Sequence, residues 1–430
     1  MKSLFLLGKS RIEVSVPGRF DCHEVRSRKA VAVADEVAAV NEALDHPIAC
    51  DPLMDLARGR KTAAISVCDI TRPAPNRITL PPLLARLHEA GVASDSIIIL
   101  IATGLHRAAT REEVDIIVGP EIAAKYRLVS HNARAREEHR YLGETRRGTP
   151  VYVDKRFVSA DLHITLGFIE QHLMLGFSGG RKLIVPGLAA QETIKVIHSP
   201  RFIREPLATE GSITGNPLHE ELLECARMVR HDFIVDVALT QNANQDRKIA
   251  GVFAGNPVKA HAAGVEFVEK ACLEEVDEPA DVVITSSAGF PLDLTFYQSV
   301  KGITAAAHIA KPGAPILMVA ECAEGMGSAE FKRMIKSMGS FSDYLNEVRD
   351  APVEVDRWQV EKLALAGVQN DIYFFAPGVT KNELGQLGTR WFGDIDEAIA
   401  AVLRGVPQGA RVALVPEGPY TFARATVGVI

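Results

Sequence analysis

Apolar residues along the chain fall into two kinds of run, and the two alternate. Short stretches rich in Val, Ile and Leu, at 62–67, 96–102, 163–168, 282–285, 315–320, 372–376 and 412–415, are bounded by turn residues and predict buried strands. Between them, polar and apolar positions at helical spacing predict helices over 81–90, 111–118, 217–230, 257–271, 331–348 and 395–404. Strands that alternate with helices build parallel sheets covered on both faces, so the pattern predicts an α/β fold of two Rossmann-like domains with mostly parallel sheets. The acidic, proline-containing stretch 273–280 is the natural break. It predicts an N-terminal domain over 1–273 and a C-terminal domain over 281–414, with the tail 415–430 able to return to the first.

Composition narrows the classes of function. The chain has 430 residues, room for two domains of the usual ~100–200 residues. Lys and Arg total 48 against 54 Asp and Glu, a net charge of −6, which argues against a duplex nucleic-acid surface because such a surface must displace cations from phosphates. The opening MKSLFLLGKS has an apolar run too short for a signal peptide, and no stretch reads as a membrane span. Six cysteines stand apart without a CxxC pair, disfavouring a disulfide framework or a thiolate zinc site. A cytoplasmic protein is expected.

Unusual motifs cluster where strands end, which is where open parallel sheets bind ligands. In SVCDITRPAPNR a strand runs into Asp69, and two prolines fix the directions of Asp69 and Arg72; a helix-capping turn is the alternative. TGLHR places His106 after the next strand, as a proton shuttle or as a hydrogen-bonded loop residue, with Thr110 and Glu113 forming a capping box for the helix that follows. The stretch IEQHLMLGFSGGRKLIVPG holds His172, the glycine-rich turn of Ser178, Gly179 and Gly180, then Arg181 and Lys182, with His198 soon after. Such a turn lets amides approach a phosphate. It is not a nucleoside-triphosphate loop, because Leu183 stands where a magnesium-binding Ser or Thr would be. His172 and His198 match no compact zinc spacing, though a single imidazole on a softer metal fits. Farther on, FYQSVKG puts Tyr297, Gln298 and Lys301 on a helix start, with Tyr297 and Lys301 on one face, suited to a small carboxylate or simply solvated. Trp358 precedes another helix as packing or as the wall of a site.

In this fixed order, DITRPAP, TGLHR, IExH, GFSGGRK with IxPG, a later IH and YQxxKG resemble the nickel-pincer lactate racemase family over residues 65 to 360. Gln171 departs from the pattern, standing where a proline is expected before the histidine. The resemblance implies a nickel-pincer nucleotide, a pyridinium bis-thiocarboxylate mononucleotide attached to Lys182, with His198 as the nickel ligand. It implies His106 and His172 as the acid/base pair, Asp69, Ser178, Gly179 and Gly180 near the cofactor, and Arg72, Tyr297, Gln298, Lys301 and Trp358 around the substrate. The expected reaction inverts C2 of a lactate-like 2-hydroxyacid by hydride transfer through a 2-keto acid, at a site in the interdomain cleft. The partners would be the hydroxyacid and the cofactor-biosynthesis proteins that load the enzyme. The alternatives are racemisation or epimerisation of a malate-like, aromatic or sugar acid at the same site, or a cofactor-binding protein without catalysis.

Overall fold

The computed structural model describes residues 1–240 and 247–426. They form two compact units, and the chain passes between them more than once. The central unit comprises Lys29–His198 and Glu205–Ala271; the terminal unit comprises Met1–Arg28, Ser199–Arg204 and Cys272–Ile430. This division differs from the expected 1–273 and 281–414. The first residues belong with the C-terminal part because strand Asp21–Glu24 pairs with Arg411–Val415. The tail stays there as well, through Ala423–Ala425 pairing with Glu274–Val276. An amino-terminal strand of pattern DCHE, mostly exposed, carries no apolar signal to reveal a distant partner.

The central unit is a six-stranded sheet in the order Ile249–Gly255, Phe233–Leu239, Leu162–Ile169, Ala63–Cys68, Ile97–Ala102, Arg127–Ser130. All pairs are parallel except the one formed by Ile249–Gly255. Sequence order therefore runs outward in both directions from the adjacent strands Ala63–Cys68 and Leu162–Ile169, and beyond the carboxyl ends of such a pair a crevice opens. Residues of both strands are buried throughout, as expected for a sheet covered on two faces. Ile65, Val67, Ile99, Ile101, Ile164 and Val235 pack with Leu83 and Leu87 of helix Asn76–Glu89. That helix starts earlier than the expected 81–90 and takes Pro81 and Pro82 into its interior.

The terminal unit has its own six-stranded parallel sheet, ordered Trp391–Phe392, Asp371–Phe375, Pro315–Val319, Val282–Ser286, Arg411–Val415, Asp21–Glu24. One face packs Phe296, Phe331, Leu363 and Phe374; the other packs Phe5 and Val14 of an N-terminal hairpin with Ile284, Leu317 and Ile399. The expected helix 331–348 is two helices, Ala329–Ser337 and Phe341–Glu347, because Ser340 caps the second with its side chain. Among the described residues no helix is long and apolar enough to cross a membrane.

Candidate active site

Strand Ala63–Cys68 delivers Asp69 at its carboxyl end, where the turn that follows binds one carboxylate oxygen and His106 the other. Oδ1 accepts from the Thr71 amide (3.2 Å) and hydroxyl (2.7 Å), and the Arg72 amide bonds the Asp69 carbonyl at 3.1 Å. Oδ2 faces His106 Nδ1 at 2.7 Å. A carboxylate only accepts, so Nδ1 carries a proton, and in the neutral ring the lone pair is on Nε2. Burial works to raise the Asp69 pKa, but the His106 hydrogen bond and charge, the Thr71 hydroxyl and Arg72 outweigh it and hold the group below the usual carboxylate range. Asp69 is 7% exposed at its side chain and His106 52%, so the buried acid orients a ring that solvent or a ligand can reach.

The His106 turn is tied by backbone to the segment that bears Lys182. Gly104 N–H donates to Gly187 O at 3.0 Å, and Gly187 N–H donates to Lys182 O at 3.1 Å. Lys182 lies half-buried in the short 3-10 turn Gly180–Leu183, whose Leu183 carbonyl is held by the Ser66 hydroxyl at 2.9 Å. Burial pushes the Cys68 thiol up to about 12, with Arg72, Asp69, Asp236 and Lys182 as the charges around it. The structure thus gathers Asp69, Arg72, His106 and Lys182 around the carboxyl ends of adjacent central strands.

His198 ends helix Gln191–Ile197, where its Nδ1 donates to Ile194 O at 2.8 Å. Its half-buried ring is closely surrounded by protein, and that burial lowers its pKa to about 4, with the Lys182 charge adding to the shift and the Ile194 carbonyl opposing it. A neutral imidazole with Nδ1 tied to a carbonyl presents Nε2 as a metal donor. Among the described residues no group of three or more His, Cys, Asp or Glu is arranged to hold a metal ion. His198 is thus a single candidate imidazole donor, not part of a protein-built metal cluster among the described residues.

His172 sits in a small hairpin, Gln171–His172 paired with Gly176–Phe177. Its Nδ1 accepts from the Met174 and Leu175 amides, both at 3.3 Å. Ser178 is occupied on every side: its hydroxyl donates to Phe168 O (2.8 Å) and accepts from Glu170 N–H (3.0 Å), its amide donates to Glu170 O (2.9 Å), and its carbonyl faces His261 Nε2 at 2.8 Å. Ser178 thus shapes the turn, leaving Gly179 and Gly180, both at positive φ, as the residues whose backbone faces change direction there.

In the terminal unit, Tyr297, Gln298 and Lys301 open helix Phe296–Ala307, with the Tyr297 ring edge-on to Phe331 at 5.1 Å. Trp358 is buried near the start of helix Arg357–Gln369, where its neighbour Gln359 donates to Tyr297 O at 2.9 Å. Sequence reasoning missed Asp236, buried in strand Phe233–Leu239. A lone acid inside FIVDVAL, seven residues otherwise wholly apolar, was the available signal.

Comparison with known proteins identifies the family. Residues 7–211 match the model of the lactate racemase N-terminal domain, and 276–421 match that of the lactate racemase C-terminal domain. The lactate racemase of Thermoanaerobacterium thermosaccharolyticum is 34% identical over 424 residues, covering 97% of this chain and 98% of that protein. The lactate racemase of Lactiplantibacillus plantarum is 34% identical over 388 residues, covering 89% of this chain and 90% of its own. The solved lactate racemase apoprotein from Thermoanaerobacterium thermosaccharolyticum superposes with a TM-score of 0.90 at 33% identity, covering 99% of this chain and 100% of that one. A Thermotoga maritima protein shares the fold, with a TM-score of 0.69 at 15% identity over 92% of this chain and 100% of that one. On the near-full-length identity and the paired domain matches, the chain belongs to the lactate racemase family and is an isomerase of the racemase type.

Proposed function

We propose that the protein racemises a short 2-hydroxyacid, lactate first, using a nickel-pincer nucleotide attached to Lys182 with His198 as the protein's nickel ligand. When bound, that group supplies a reversible hydride acceptor, which allows C2 to be inverted through the flat 2-keto acid. The observation that carries the reading is the Asp69–His106 pair at 2.7 Å, tied by backbone to the Lys182 segment. Direct removal of the C2 proton would place a carbanion beside a carboxylate, whereas removing the hydroxyl proton as hydride leaves avoids that charge.

His106 Nε2, which carries the lone pair in the neutral tautomer that the Asp69 contact selects, takes the hydroxyl proton from one enantiomer, and His172 serves the other. Arg72 offers a planar cation for the substrate carboxylate. In the terminal unit, Tyr297, Gln298, Lys301 and Trp358 are the substrate-contacting groups on the same reading, with Lys301 as a second cation. The turn of Gly179 and Gly180 lies near the cofactor phosphate on the same reading. Relatives named lactate racemases favour lactate over larger hydroxyacids. Loading requires the host's cofactor-making proteins, and six free cysteines suit the reducing cytoplasm.

The test is production with and without the cofactor-making proteins, followed by peptide mass and chiral analysis of lactate. Added mass on the Lys182 peptide together with racemisation only in the loaded form is the expected result. Racemisation by unmodified, metal-free protein would overturn the reading.

A further inference from the structure

Beneath the Lys182 turn lies a buried acid that the reaction above does not use. Asp236 is fully buried on strand Phe233–Leu239, in register with Gly167 of the neighbouring strand. A Cβ at Gly167 would come within 2.7 Å of Asp236 Oδ1, and one at Gly179 within 2.7 Å of Oδ2, so both glycines leave the space the carboxylate fills. The Gly180 amide faces the group, yet no hydrogen bond of normal geometry reaches either oxygen.

Its counterpart is Arg181, the residue before the lysine, which is 2% exposed. Arg181 gathers the turn from inside: Nη2 donates to Phe177 O (2.9 Å) and Leu175 O (3.3 Å), Nη1 to Gly179 O (3.3 Å) and Ser178 O (3.5 Å). Nη1 also faces His261 Nε2 at 2.7 Å, while its Nε has no acceptor. Burial lowers the Arg181 pKa to about 10, and the charge that opposes this loss is Asp236. A guanidinium that draws in four carbonyls therefore has Asp236 as its buried countercharge, with no direct ion pair between them.

We propose that Asp236 is a positioning residue for Lys182: its buried carboxylate, wedged against Gly167 and Gly179 and serving as the buried countercharge of Arg181, holds the turn from which the lysine projects. The inference rests on the reading of Lys182 as the attachment residue. A buried charge whose partner is removed leaves the other uncompensated, so the turn is expected to lose its single geometry when Asp236 is neutral.

The charge on Asp236 changes within the working range, because burial raises its pKa to about 7 against the opposing pull of the Gly180 amide and Arg181. The groups around it keep their state there. Arg181 on the turn stays charged, Cys68 on strand Ala63–Cys68 stays a thiol, and His261 on helix Pro257–Cys272, which also lies against Gly180, is held neutral by burial and by Arg181. His219 on the preceding helix, stacked on His261, is likewise neutral.

The experiment labels unloaded full-length protein with a water-soluble acetylating ester between about pH 6 and 8.5, a range that brackets the shifted carboxyl. Peptide mass reads acetylation of Lys182 against exposed Lys61, in wild type and in Asp236→Asn. The wild-type ratio is expected to change by about tenfold relative to the variant as pH crosses about 7, the scale of a lost charged contact. Superimposed profiles would overturn the proposal. If the variant does not fold, the wild-type profile alone decides: a separate step near the Asp236 pKa supports the proposal and its absence overturns it. Loading is scored separately by added mass on the Lys182 peptide. Wild type without that mass defeats the attachment reading, while the acetylation profiles still judge Asp236.

Discussion

His106 and His172 each stand just past a strand of the central sheet, and their surroundings hold the two rings by opposite ends of a hydrogen bond. His106 Nδ1 meets the Asp69 carboxylate and must donate; His172 Nδ1 meets two backbone amides and must accept. In the neutral state the proton of His106 is therefore on Nδ1 and that of His172 on Nε2. One ring rests with Nε2 ready to take a proton, and the other with Nε2 ready to give a hydrogen bond. On the proposed reading, two residues given one role thus start from opposite ends of a proton transfer. His172 can act as a base at Nε2 only when Nδ1 gives up the Met174 and Leu175 amides and takes the proton itself.

The largest effects expected come from removing either ring. His106→Ala and His172→Ala should each cost about two to four orders of magnitude in racemisation, followed by chiral chromatography from each enantiomer, with nickel content unchanged. Near-normal turnover in both directions for either variant would make that histidine structural. Asp69→Asn should cost about a hundredfold, because its amide can donate to Nδ1 and favour the tautomer with its lone pair there, so that Nε2 is no longer the base. That loss should fall mainly on the enantiomer served by His106, since His172 owes its tautomer to amides; equal losses from both enantiomers would break the contrast.

A smaller effect should follow Arg72→Lys, which keeps charge and loses the planar fork. KM for lactate is expected to rise about tenfold with nickel retained; unchanged kinetics for every 2-hydroxyacid tried would move the carboxylate site elsewhere. The smallest concerns stability and pH. The Asp69 pKa is depressed in the fold, so the stability it contributes is fully present above its unfolded value near 4 and is lost as pH falls through the folded value. The Tm difference between wild type and Asp69→Asn should therefore shrink on acidification below about pH 4; a constant gap would show that the His106 contact is not what depresses the group.

Strands such as Ala63–Cys68, Leu162–Ile169 and Val282–Ser286 were legible because each is a compact apolar run, buried end to end, and the turns carrying Asp69 and His106 directly follow strands Ala63–Cys68 and Ile97–Ala102. The capping box at Thr110 was legible for the same local reason. What stayed hidden depends on partners far away in sequence. Residues 1–28 carry no mark of the strand they join, and nothing near His172 announces that its Nδ1 accepts from the two residues beyond it. Asp236 was visible as an anomaly, but its meaning needed Gly167, Gly179 and Arg181 brought to it by the fold.

The pairing of strand Asp21–Glu24 with Arg411–Val415 also bears on the order of synthesis. A ribosome finishes the central unit while the last strands of the terminal sheet are still unmade, so the first residues must wait, unpaired, for nearly the whole chain to emerge. The terminal sheet is consequently the part with the longest loop to close and the slower part to assemble. A fragment begun at Lys29 would expose Arg411–Val415 as an open edge, apolar and ready to recruit a strand from another molecule.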